Sequence, residues 1–152
     1  MLRTIGLCAY LNQIGCFVPA ANYSGNIFKK IYSRAGADDD LAAATSTFTQ
    51  QMLEISYIVK NEDMADTLVL LDEVGSNTNE AEGKALTIAI LNRLQCTGAT
   101  TVLATHFDVA DLKKHFPNAS SVSMTPEHNL IPYDRSHRSN GWAFCQQRGF
   151  II

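Results

Sequence analysis

No Pro/Ser-rich linker, low-complexity tract or internal repeat divides these 152 residues, so one domain, or part of one, is expected. Positive charge is not in excess either. Twelve Lys and Arg stand against fifteen Asp and Glu, a formal charge of −3, and a chain without a basic footprint is not expected to grip nucleic acid by itself. No apolar run approaches the length of a membrane-spanning helix, so a membrane partner is not expected. Cys8, Cys16, Cys96 and Cys145 form no C-x-x-C pair and lie in apolar segments. A disulfide framework and a thiolate metal site are therefore set aside, in favour of buried, reduced thiols in an intracellular protein.

What is present is a hydrophobic content of 46%, enough for a sizeable core, and one stretch with a chemical direction. Leu68-Val-Leu-Leu-Asp-Glu-Val-Gly75 runs four apolar residues straight into an acidic pair. A strand covered on both faces reads as such a continuous run, and ligands of α/β sheets sit at the carboxyl ends of the strands. Asp72 is thereby placed where it could hold magnesium, and Glu73 where it could polarise a water attacking a γ-phosphate, the pattern of a Walker B motif with its catalytic glutamate. The plainer reading is a buried strand ending in a solvated acidic turn.

Thr100-Thr-Val-Leu-Ala104 is a second β-branched run and ends in Thr105-His106, bringing an imidazole to the same sheet edge. There a neutral His106 could hydrogen-bond a γ-phosphate or hold the attacking water. Between the two strands, Ala81, Ala85, Ile88, Ala89, Leu91 and Leu94 recur at near-helical spacing, predicting a helix over Asn79 to Thr97 and hence a βαβ unit. Leu2 to Gln13 is apolar on most sides and predicts a buried helix, followed by a strand-like exit at Phe17-Val18-Pro19-Ala20. Ser46-Thr47-Phe48 would open a helix running to about Lys60, with a hydroxyl as its cap. Leu130 to Tyr133, interrupted by Pro132, predicts a short edge strand. Arg135 to Gly141 reads as a polar turn, and Gly141 to Arg148 as a short helix burying Trp142, Phe144 and Cys145.

These pieces, in this order, resemble the MutS family of DNA mismatch-repair ATPases. The resemblance is carried by Leu2-Arg3, Gln13-Ile-Gly-Cys-Phe-Val-Pro-Ala20, Ile27-Phe28 and Ile31-Tyr-Ser-Arg-Ala-Gly-Ala-Asp-Asp-Asp-Leu-Ala42. It continues through Ser46-Thr47-Phe48, Met52, Leu68 to Gly75, Thr78, Gly83 and Ala104-Thr-His-Phe107, with a weaker echo in Ser139-Asn140-Gly141. It implies an α/β fold of the ABC-type P-loop NTPase kind, a mostly parallel sheet with flanking helices, and ATP and magnesium as cofactors. By the same resemblance, Asp72 is a magnesium ligand, Glu73 and His106 are catalytic, and Ser46, Thr47 and Phe48 face the γ-phosphate held by another subunit. Asp38, Asp39 and Asp40 would lie in the loop near that interface. The implied partners are a MutS-like subunit in a homo- or heterodimer, and mismatched or branched DNA contacted through regions outside this chain. The nucleus of a eukaryote or the cytoplasm of a prokaryote is the implied location.

Three departures qualify the expectation. The family places a strand and a glycine-rich loop bearing lysine and Ser/Thr ahead of the helix that begins here at Leu2, and no residues of this chain match them. That loop cradles the phosphates. Residues 1–152 are therefore expected to be a partial MutS-type ATPase domain, its parallel strands left with unpaired flanks. Gly75-Ser76-Asn77-Thr78 stands in place of Gly-Arg-Gly-Thr, removing a positive charge. Ala44 stands in place of a glycine, removing freedom for φ > 0. Two alternatives stay open: a non-catalytic paralogue or interaction fragment, and another ABC-type ATPase, although the latter typically carries a Leu-Ser-Gly-Gly-like signature where this chain has Ser46-Thr47-Phe48.

Overall fold

The continuous apolar run at Leu68 forms an interior strand, second from one end of a sheet with helices on both faces. The structure, a computed structural model, describes residues 1–34, 44–76, 78–124, 130–132 and 142–146; for 44–48, 124, 130 and 142–146 it describes the backbone alone. Among the described residues ten elements follow in order: α1 (Leu2–Gln13), β1 (Lys30–Arg34), α2 (Ala44–Val59), β2 (Thr67–Asp72), α3 (Glu80–Cys96), β3 (Thr100–Thr105), α4 (Val109–His115), β4 (Ser120–Met124), β5 (Leu130–Pro132) and β6 (Trp142–Gln146). They build one six-stranded sheet in the order β1-β2-β3-β6-β4-β5. The pairs β1·β2 and β2·β3 are parallel, and the pairs β3·β6, β6·β4 and β4·β5 are antiparallel. The expected parallel α/β sheet is thus its first half, and an antiparallel half continues it.

Strand alternation divides the core in two. Leu68 and Leu70 of β2 and Val102 of β3 face Leu2, Ile5 and Ala9 of α1, while Val69, Leu71 and Leu103 face Ile55 and Ile58 of α2 and Leu91 and Leu94 of α3. Gly6 lets α1 settle closely, since a Cβ there would come within 2.8 Å of Leu70 Cδ1. The helix is half-buried rather than buried. Leu2, Ile5, Cys8 and Ala9 point inward, whereas Leu7 and Tyr10 are exposed, because only one face of α1 meets the sheet.

Helix α3 matches its sequence prediction at both ends. Asn79 is the N-cap, its side-chain oxygen accepting from Glu82 N at 2.9 Å, with Glu80 and Glu82 in the first turn and Arg93 in the last, all favourable to the helix dipole. The edge strand read at Leu130 is β5, at the end of the sheet.

Four expectations are corrected. Phe17-Val18-Pro19-Ala20 forms no strand: Phe17 is fully exposed, Ala20 N donates to Val18 O in a tight turn, and Pro19 has no N–H to offer a ladder. The helix expected over Gly141 to Arg148 is instead β6, where five residues including Trp and Phe lie between β3 and β4 and exchange ladder bonds that no isolated short helix could match. That strand takes the flank of β3 expected to be open. Finally, of the thiols only Cys8 is buried among the described side chains; Cys16 follows α1 and Cys96 ends α3, both exposed, because apolar sequence neighbours do not place a residue on the inner face. Asp38, Asp39, Asp40 and the Arg135 to Gly141 loop lie outside the described residues.

Candidate functional site

The carboxyl ends of β2 and β3 lie side by side because the two strands are adjacent and parallel, with Asp72 in register with Ala104. Glu73 N donates to Ala104 O at 2.9 Å, carrying the pairing one residue past the end of β2. His106 leaves β3 one residue after Thr105, whose buried hydroxyl accepts from Phe107 N at 3.1 Å and turns the chain. The consequence is a direct contact across the strand ends: His106 Nε2 lies 2.5 Å from Glu73 Oε1. With the proton on Nε2 the imidazole donates and the carboxylate accepts. Both groups are accessible, at 60% and 47% side-chain exposure, and pairs so exposed contribute about 0–1 kcal/mol to folding. Folding does not require the pair.

The backbone at Glu73 is strained. Its φ is +47°, the left-handed region that costs a non-glycine residue about 1–2 kcal/mol. The turn it opens closes by Ser76 N donating to Glu73 O at 3.1 Å and passes through Gly75 at φ +79°. Gly75 crosses the first turn of α3 so tightly that a Cβ on it would lie 2.6 Å from Gly83 O, and a Cβ on Gly83 would overlap the Gly75 carbonyl oxygen. Thr87 Oγ1 reaches Val74 O at 2.9 Å from within α3. Each grip holds the carboxylate at the strand end.

Asp72, half-buried at the end of β2, has no hydrogen bond or ion pair to its carboxylate among the described residues. Magnesium is held by one or two carboxylates together with waters and phosphate oxygens, and a single open carboxylate fits that donor set. No group of three or more His, Cys, Asp and Glu that could hold a metal occurs among the described residues. A site built wholly from these side chains is therefore not offered.

Ser46, Thr47 and Phe48 lie in the first turns of α2, which takes in Ala44 as well, so the helix contains these residues rather than beginning at them. Their side chains lie outside what the structure describes. The helical backbone at Ala44 needs no left-handed φ, so a glycine's freedom is not called on there. Asp72, Glu73 and His106 are thus brought to one edge, with Ser46, Thr47 and Phe48 described by backbone alone.

Sequence reasoning missed Thr87 and the contact of Gly75 with Gly83. It also missed two ties between elements: Arg34 Nε on Glu54 Oε2 at 3.0 Å, joining β1 to α2, and the Asp111 carboxylate between Lys84 and Lys114, joining α3 to α4. The Asn79-x-x-Glu82 spacing was a readable signal for the helix start. The others depend on chain crossings that no local pattern announces.

The family MutS domain V matches residues 1–137. The human protein MutS protein homolog 4 is 37% identical over 128 residues, covering 84% of this chain and 14% of the relative. The DNA mismatch repair protein MutS of Thermotoga maritima is 40% identical over 124 residues, 81% of this chain and 16% of the relative. Endonuclease MutS2 of Lachnospira eligens is 41% identical over 157 aligned positions, 97% of this chain and 20% of the relative. The chain thus spans 14% to 20% of the length of these relatives. No described helix is long and apolar enough to cross a membrane.

Proposed function

Because this chain belongs to the MutS family and carries its domain V, we propose that it supplies the hydrolytic edge of an ATPase in DNA mismatch repair or recombination, with ATP and magnesium as cofactors. The observation that carries the reading is the contact of Glu73 with His106 at the ends of two adjacent parallel strands. Asp72 would hold magnesium, which when bound would supply charge neutralisation at the nucleotide. Glu73 has one oxygen engaged by His106 and offers the other to a water, orienting it and drawing off its proton as attack proceeds. His106 holds the carboxylate in place through its Nε2 contact. In this reading the phosphates are cradled by a glycine-rich loop that none of residues 1–152 matches, and Ser46, Thr47 and Phe48 complete the site of a second MutS-like subunit. DNA is held by other regions, and the protein works in the nucleus of a eukaryote or the cytoplasm of a prokaryote.

The roles separate in binding. With a MutS-type strand and phosphate loop joined ahead of Leu2, Asp72→Ala should weaken magnesium-dependent ATP binding, measured by calorimetry, whereas Glu73→Gln should leave it largely intact. Equal losses from the two substitutions would remove the distinction between a metal ligand and a water-orienting base. No loss from either would leave an interaction module.

A further inference from the structure

We infer that Thr87 is a positioning residue for Glu73, acting through the turn that carries the carboxylate; the inference rests on the reading above, in which Glu73 works on water. Thr87 is 1% exposed and its hydroxyl lies near two carbonyl oxygens, Gly83 O at 2.8 Å and Val74 O at 2.9 Å. A threonine inside a helix commonly bonds the carbonyl four residues back, and Gly83 O is that carbonyl. Val74 O is different. It belongs to the turn after β2, thirteen residues away in sequence, immediately after Glu73.

One hydroxyl proton cannot serve both acceptors fully. Gly83 O lies inside α3, where the helical pattern supplies the N–H of Thr87. Val74 lies outside the helices and strands and is 1% exposed, so its carbonyl depends on the hydroxyl more. A peptide plane fixed at Val74 restrains the residue before it. Glu73 sits at φ +47° and would relax toward an ordinary backbone if that plane were freed, swinging its carboxylate from His106. Thr87 touches no reacting atom.

The test uses this chain, labelled with ¹⁵N, and needs no activity. Thr87→Val keeps the shape and removes the hydroxyl; Thr87→Ser keeps the hydroxyl. Thr87→Val should move the His106 imidazole ¹⁵N resonances toward those of Glu73→Ala, in which the acceptor Oε1 is removed. It should also speed amide exchange at Glu73, which donates to Ala104 O, about tenfold more than at Leu70 in the core of β2, as expected for an uncompensated buried hydrogen bond. Thr87→Ser should restore both signals. Parent-like His106 resonances in Thr87→Val, or equal acceleration at Glu73 and Leu70, would overturn the positioning role while leaving the Glu73 reading in place. If Glu73→Ala itself leaves His106 unmoved, the pair does not form in solution, and the site reading falls together with the inference.

Discussion

Glu73 combines a strained backbone with an exposed side chain, an arrangement that folding alone does not favour. Replacing it by glycine relieves the left-handed strain at φ +47° and removes only an exposed contact with His106. Glu73→Gly should therefore stabilise the chain by about 1 kcal/mol, read as a higher midpoint in urea, while abolishing whatever the carboxylate does. A destabilised variant would mean that the side chain supports the fold. Asp111 is the opposite kind of acid. Hydrogen bonds from Lys114 and Lys84 hold its carboxyl down to about 2, below the ordinary value of 3.8. A carboxylate with a depressed folded value contributes stability above its ordinary titration and loses it as pH falls toward the depressed one. The part of acid destabilisation belonging to Asp111 should thus fall between about pH 4 and pH 2, and Asp111→Asn should flatten the denaturation profile there. An unchanged acid limb would show the two lysines to be idle.

Among the elements, those legible in the sequence are the ones whose burial is local in pattern. β2 and β3 are covered on both faces and so read as apolar runs, and α3 carries its cap at Asn79 and its periodicity within its own length. The acidic pair and the histidine were legible for the same reason, since a strand end fixes where the next residues emerge. β6 was not legible. Its conformation comes from partners distant in sequence, with Val102 on one side and Ser120 on the other of Cys145, while its own five residues suit either structure. The turn at Glu73 was hidden likewise, because Gly75, Gly83 and Thr87 acquire their roles only where the chain crosses itself. The position of β6 predicts a consequence of breaking it. Cys145→Pro removes a ladder donor in an interior strand and should uncover the flank of β3, so light scattering should show self-association exceeding that of the parent. A variant as monodisperse as the parent would mean that β6 does not seal the sheet.

At the scale of the molecule, the sheet edge collects groups that, in the proposed reading, would act on a phosphate rather than hold one. Asp72 and Glu73 are acids and His106 an imidazole, so by itself the chain should bind a fluorescent ATP analogue with magnesium more weakly than micromolar. Micromolar affinity would require a phosphate cradle elsewhere in these residues. The central claim is that Glu73 orients the attacking water, and single-turnover hydrolysis tests it most directly, in the chain preceded by a MutS-type strand and phosphate loop. A water-positioning base contributes about a hundredfold or more in rate, so Glu73→Gln should slow the chemical step by about that factor with nucleotide still bound; hydrolysis at the parent rate would make Glu73 a solvated acid at a strand end and contradict the account.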